Sequence, residues 1–433
     1  MFVIPIFLIL ILTLFARIYN KDWLHPGLFI LIFWSIAILS TVFFAPDYTI
    51  HASSLWWISL TLLTTYVGTL VGGASSLNKE FNARGASLNL VRLSGLFDLL
   101  SKLVLIALVF FILGVMILVE WATGGVGQLF SIDGLLDLGH KLSSMRYSGG
   151  EYKQPILYSI FTYGLSFAAL IGGVLFFSSK RSHVYISIMP LILAFVNAIV
   201  KTQRGTIIFT VVLWLSSYLA IRPLSERSPI RLFTFQKIFL IIFLMFFALV
   251  IFVFLQASRE GQVNFEFIET ALLNFKSSAF GSLPAFSHWF DSTLMEDYKY
   301  TLGEFTFNRV AYYIFDVPAR SPGMYGEAIW LGETYREGTT IYTVFRAMLQ
   351  DWGMIGSLVS WFGVGLIGGF SYQKILQEKL HFLPWLSMYY AFVMIGYLAS
   401  MFSWNGVIFS YAIFIIFFFW RFFWRKRLKA LKF

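Results

Sequence analysis

The chain has no cysteine, so neither disulfide staples nor thiolate metal ligands are available to it. Charge is scarce too: Asp, Glu, Lys and Arg make up 12% of 433 residues, about half the usual share in a soluble domain. Four catalytic signatures are also missing. There is no G-x-x-x-x-G-K-[ST] loop for nucleotide phosphates, no H-E-x-x-H helix for zinc, no D-x-D pair for a metal-bound nucleotide sugar and no G-x-S-x-G nucleophile elbow. ATP-driven pumping, zinc proteolysis and metal-dependent use of soluble sugar nucleotides therefore lose support. No cofactor and no metal site are expected.

What is present is apolar: 58% of residues are hydrophobic, arranged in long uncharged runs. Lipid leaves no backbone N–H or C=O partner outside the helix, so such runs read as spanning helices of about 20 residues. Eleven are expected, at 2–16, 26–44, 54–72, 99–119, 156–177, 184–200, 205–221, 238–257, 353–372, 384–401 and 406–420, giving an all-α polytopic membrane protein. The first run lacks a basic leader and a small-residue cleavage site, and Arg17 follows it, so it reads as a retained helix.

Basic loops resist translocation, so Lys and Arg orient the bundle. An N-terminus outside and a C-terminus in the cytoplasm place 20 of the 32 basic residues on the cytoplasmic side with only five acids. The formal charge of +10 is spread over short loops and a juxtamembrane tail. That is how topology and anionic headgroups use charge, which points to membrane lipids and away from nucleic acid.

Two outward segments are long. The first, 120–155, places Ile132, Leu135, Leu136, Leu138, Leu142 and Met145 near one helical face, as expected for an amphipathic helix on the membrane surface. The second, 258–352, opens with an interfacial pattern at 264–275 and continues rich in Tyr, Trp and Gly. A segment this long is costly to order, which favours a catalytic or glycan-binding role over a connecting one.

Several residues stand out against a lipid background. Lys201-Thr-Gln-Arg204-Gly205 lies on the expected outer face, against the positive-inside trend. Arg204 reads either as a bidentate phosphate clamp or as a snorkelling residue at a helix end. Arg259, beyond the eighth run, reads as a helix-end charge or as the second arginine of a diphosphate site. His288 is one of six histidines, and a neutral imidazole with a pKa near ~6.5 suits a general base, although a His beside aromatics is commonly structural. Asp291, three residues on, would orient that ring if the stretch is helical. In a helical 336–356 segment, Tyr342, Arg346 and Gln350 form a polar stripe, with Arg336 upstream. Asp351 then enters the membrane edge before Gly353 and Gly356, either as a working group or as one half of a structural pair. Trp289, Tyr298, Tyr300, Tyr312, Tyr313, Tyr325, Trp330 and Tyr335 supply faces for stacking on sugars or for an interfacial belt.

Taken together, Trp23-Leu-His25-Pro26 opening a span with Trp34, the Lys201–Gly205 turn, Gly281–Asp291 and Thr340-Ile-Tyr-Thr-Val-Phe-Arg346-x4-Asp351-Trp-Gly-x2-Gly356 resemble the oligosaccharide repeat unit polymerases, the Wzy-type O-antigen and capsule polymerases. Where that family often carries Asn-Pro near the second span and Asn before Tyr-Thr, this chain has His25-Pro26 and Thr340-Ile341. The resemblance implies an enzyme of the bacterial cytoplasmic membrane. It would move a growing glycan from undecaprenyl diphosphate to a fresh lipid-linked oligosaccharide on the outer face, with a chain-length regulator as a candidate partner.

On that expectation Arg204, assisted by Arg259 or Arg346, holds the diphosphate, with Lys201, Arg336 and Tyr342 nearby. His288 or Asp351 deprotonates the acceptor. The competing expectations are an O-antigen ligase-like transferase and a lipid-linked oligosaccharide flippase or other transporter, which would place its ionisable residues nearer the bilayer midplane.

Overall fold

The computed structural model describes residues 3–20, 22–74, 90–147, 154–224, 250, 252–253, 265–293, 300–315, 324–332 and 338–430. Among them, eight helices are long and apolar enough to cross a membrane. The chain is an all-α polytopic membrane protein. Two further expected spans are shorter helices, Val3–Tyr19 (17 residues) and Leu383–Ile395 (13 residues). The expected span at 238–257 lies almost entirely outside the described residues.

The helices fall into two units: Met1–Leu88, Leu219–Pro229 and Lys276–Phe433 form unit 1, and Asn89–Tyr218 with Ile230–Phe275 forms unit 2. Unit 1 contains α1 (Val3–Tyr19), α2 (Pro26–Phe44) and α3 (Ala52–Ala74). Unit 2 contains α4 (Leu90–Thr123), α5 (Ile132–Tyr147), α6 (Ile156–Leu175), α7 (Arg181–Lys201) and α8 (Gly205–Ile221), whose last turn belongs to unit 1. Helix α9 (Phe265–Phe280) runs from unit 2 into unit 1. The rest belongs to unit 1: α10 (Ser282–Thr293), α11 (Asn308–Phe315), β1 (Met324–Trp330), β2 (Gly338–Ile341), α12 (Val344–Leu376), α13 (Leu383–Ile395) and α14 (Asn405–Ala430).

Helix pairing in unit 1 rests on small residues. On α3 and α12, a Cβ added at Gly68 or Gly72 would fall on the carbonyl oxygens of Phe362 and Leu366. One at Gly365 or Gly369 would fall on those of Thr65 and Thr69. Without a hydrophobic drive between helices in lipid, such backbone approach and its dispersion contacts hold the pair together.

The two ends of unit 1 differ in chemistry. At one end, Leu24 N donates to Asp22 Oδ1 at 3.0 Å, the Tyr372 hydroxyl of α12 donates to Asp22 Oδ2, and Tyr389 Oη of α13 donates to Pro26 O at 2.8 Å. These bonds place the α1–α2 turn beside the C-terminal end of α12. The other end carries the α2–α3 turn, α10, the hairpin and the start of α12.

Helix α12 begins nine residues before the expected span and breaks at Gly353, whose φ of 66° and ψ of −174° suit glycine alone. The carbonyls freed by the break are reused: Thr301 N donates to Gln350 O and Leu302 N to Asp351 O, each at 3.2 Å. The hairpin is the one departure from an all-α reading among the described residues. Its strands are antiparallel, with an irregular register between Met324 and Ile329 around Gly326 (φ 79°).

In unit 2, Leu138 and Leu142 of α5 are completely buried and the helix packs on α7, with Gly139 closely facing Thr202. Two residues of the expected apolar face, Leu138 and Leu142, are thus covered by protein. At the start of α7, Asp98 Oδ1 accepts from Lys180 Nζ at 2.8 Å and from buried His183 Nε2 at 3.1 Å. His183 Nδ1 is 2.8 Å from Ser178 Oγ.

Candidate functional site at the α2–α3 end of unit 1

Arg346 sits two residues inside α12 and is buried, with 1% of its surface exposed. A guanidinium keeps its charge, so burial obliges it to find partners. Its Cζ lies 4.0 Å from the Tyr342 ring centroid, 4.1 Å from Tyr325 and 4.8 Å from Trp289. Nη2 donates to Glu327 Oε2 at 3.2 Å and Nε to Gln350 Oε1 at 3.4 Å, whereas Nη1 is buried without a protein acceptor.

The cage is assembled from distant sequence. Trp289 comes from α10, Tyr325 and Glu327 from β1, and Tyr342 from the residue pair before α12. The β1 irregularity brings Glu327 onto the guanidinium while leaving its own side chain 66% exposed. Tyr342 is fully buried and its hydroxyl donates to Glu327 O at 3.3 Å; burial pushes the phenol above its ordinary range. The expected stripe of Tyr342, Arg346 and Gln350 therefore exists as a contact set, although Tyr342 precedes the helix and the stripe is covered.

A second cluster lies on the same helix as Trp289. His288 and His51 stand edge to face with ring centroids 5.0 Å apart. The expected Asp291–His288 pairing is not what forms: Asp291 Oδ2 lies 3.4 Å from His51 Nδ1, and its Oδ1 accepts from Ser53 Oγ at 2.7 Å. Ser287 Oγ accepts from His51 N at 2.7 Å and from Ser54 Oγ at 2.8 Å, which pins α10 to the start of α3. Partial burial and then the neighbouring His51 lower the His288 pKa, against an opposing pull from Asp291. Both shifts in its surroundings leave the imidazole readier to be neutral, the form a base needs. Among the described residues, no three His, Asp or Glu side chains converge to hold a metal ion.

Asp351 takes a different place from the working group entertained above. It is fully buried and accepts from Thr301 Oγ1 at 2.6 Å, Phe305 N at 3.0 Å and Thr306 N at 2.5 Å. A carboxylate bound on both oxygens by loop donors organises that loop and has no open side for a substrate hydroxyl.

Lys201 and Arg204 belong to unit 2. Thr202, in the left-handed region (φ 51°), closes α7, so the expected tight turn forms. The Arg204 guanidinium stacks 3.5 Å over Phe252, and Lys201 Nζ lies 4.9 Å from the Tyr158 ring. Arg259 and Arg336 lie outside the described residues, as do Tyr298 and Tyr335. Sequence reading missed His51, Ser53 and Glu327. A histidine just before an apolar run was the only available signal for the first, and nothing linear ties it to residues about 240 positions away.

The chain matches no protein-family model, no curated protein and no solved structure with which it was compared.

Proposed function

We propose that this protein is a membrane glycosyltransferase acting on lipid diphosphate-linked oligosaccharides, in the manner of the repeat unit polymerases it resembles. The observation that carries the reading is the buried, ring-caged guanidinium of Arg346 with Nη1 lacking a protein acceptor, at the same end of unit 1 as a neutral-leaning histidine. A buried guanidinium nitrogen with no protein acceptor is complementary to an anion. A diphosphate is an activated leaving group, so the reaction asks mainly for cations and a base.

In the proposed step, the acceptor hydroxyl oxygen attacks the anomeric carbon of the donor glycan. The C–O bond to the diphosphate breaks, its electron pair stays on phosphate oxygen, and the hydroxyl proton passes to His288. Arg346 balances the charge gathering on the diphosphate. Asp351 is set aside as the base. Arg204 and Lys201 keep a proposed phosphate-binding role at their own turn in unit 2. The proposed setting is the bacterial cytoplasmic membrane, N-terminus outside, with undecaprenyl diphosphate as the carrier.

Purified protein in nanodiscs, given lipid-linked repeat units, tests this directly. A product ladder is the expected result, transfer to a different lipid acceptor would indicate a ligase, and absence of any glycan transfer would overturn the proposal. Arg204→Ala should express normally and stop chain growth; normal polymer length in that variant would remove its assigned role.

A further inference from the structure

His51 lies outside the motifs that suggested a transferase, yet the fold places it against both His288 and Asp291. Three groups that can each carry charge meet here: two imidazoles 5.0 Å apart and one carboxylate. Two positive rings at this distance repel, and one carboxylate offsets only one of them, so the cluster favours a single proton. The carboxylate is turned toward His51 and steadied by Ser53. The other described charges on these elements are committed elsewhere: Asp47, on the same α2–α3 turn as His51, is paired with Lys276 of α9. Arg346 of α12 is turned onto Trp289 and paired with Glu327, β2 contributes Gly338–Ile341 without a titratable group, and α3 presents Ser53 and Ser54.

We propose that His51 is a positioning residue for His288: it holds the Asp291 carboxylate to itself and sets a second imidazole edge to face against His288, which keeps the latter available as the base. This rests on the transferase reading for its catalytic meaning, but the charge coupling itself does not. Without His51, the pull of Asp291 on His288 goes less opposed, so the neutral base is depleted at a higher pH on the acid side. With side chains 32% and 46% exposed, His51 and Asp291 are partly screened by water. The coupling then amounts to roughly tenfold in proton affinity, about one pH unit.

The test compares wild type, His51→Gln and His51→Lys in nanodiscs, reading the imidazole titration of His288 by 15N NMR alongside the pH–rate profile. Glutamine removes the charge, so the His288 midpoint and the acidic limb of kcat should both rise by about one unit, with KM for the lipid donor within about twofold. Lysine supplies a fixed charge, so both should stay at or below their wild-type positions. A merely structural role for His51 would move the two variants alike, and that result, or an unmoved midpoint in His51→Gln, overturns the proposal. Should the midpoint move as expected in a protein that transfers no glycan, the charge coupling stands and the transferase reading fails.

Discussion

Asp351→Asn separates a structural carboxylate from a catalytic one. In the native protein, three donors converge on it, two of them backbone N–H groups of buried residues Phe305 and Thr306. Asparagine keeps one acceptor oxygen and sets an NH₂ against the other donors. One buried N–H then lacks a partner, at about 1–3 kcal/mol, and the remaining bonds lose their charge assistance, so the total loss is about 3 kcal/mol.

The damage should travel. Phe305 stacks on Tyr325 at 4.7 Å between centroids, and Tyr325 stacks on Arg346, so a loosened 301–307 loop unsettles the guanidinium cage. Unfolding in mixed micelles should show the stability loss, limited proteolysis should find new cleavage near 301–307, and transfer should fall in step with stability. A variant as stable and protease-resistant as wild type but wholly inactive would refute the anchoring role and return Asp351 to the list of bases.

Arg346→Lys keeps the charge but replaces a planar fork stacked on three rings with a compact ammonium, so glycan transfer should drop roughly 30-fold or more while the protein remains monodisperse. Retained turnover would show that the cage is not used. His25, buried with Nδ1 lacking a partner, has its pKa lowered by desolvation to about 4. The unfolded chain, with a value near 6.5, binds more protons between these limits. Stability from this group is therefore complete above pH 6.5 and lost as pH falls toward 4, by up to about 3 kcal/mol. His25→Asn should flatten that acid limb in pH-dependent unfolding, and an unchanged slope would assign it elsewhere. Gly369→Leu drives a side chain into the Thr69 carbonyl across the α3–α12 contact. Loss of a monodisperse peak on size exclusion is expected, and normal stability would contradict so close a packing.

Much of the scaffold was legible in one dimension. Composition and run length specify a helical bundle in lipid, because a backbone without water must satisfy itself locally. Helices such as α2 and α8 begin and end at the bounds of their apolar runs. Gly353 and Gly365, by contrast, owe their roles to what stands opposite them: Tyr300 beside the first and the Thr65 carbonyl across from the second. The same holds for the fate of each conspicuous polar residue. Asp291 was within helical reach of His288, yet its carboxylate went to His51. Asp351 read equally well as a working group until loop donors closed on both its oxygens. Local patterning carries hydropathy and helix period, which act between near neighbours. Which partner a polar side chain meets depends on groups brought together from tens to hundreds of positions apart, and that pairing exists only once the chain is folded.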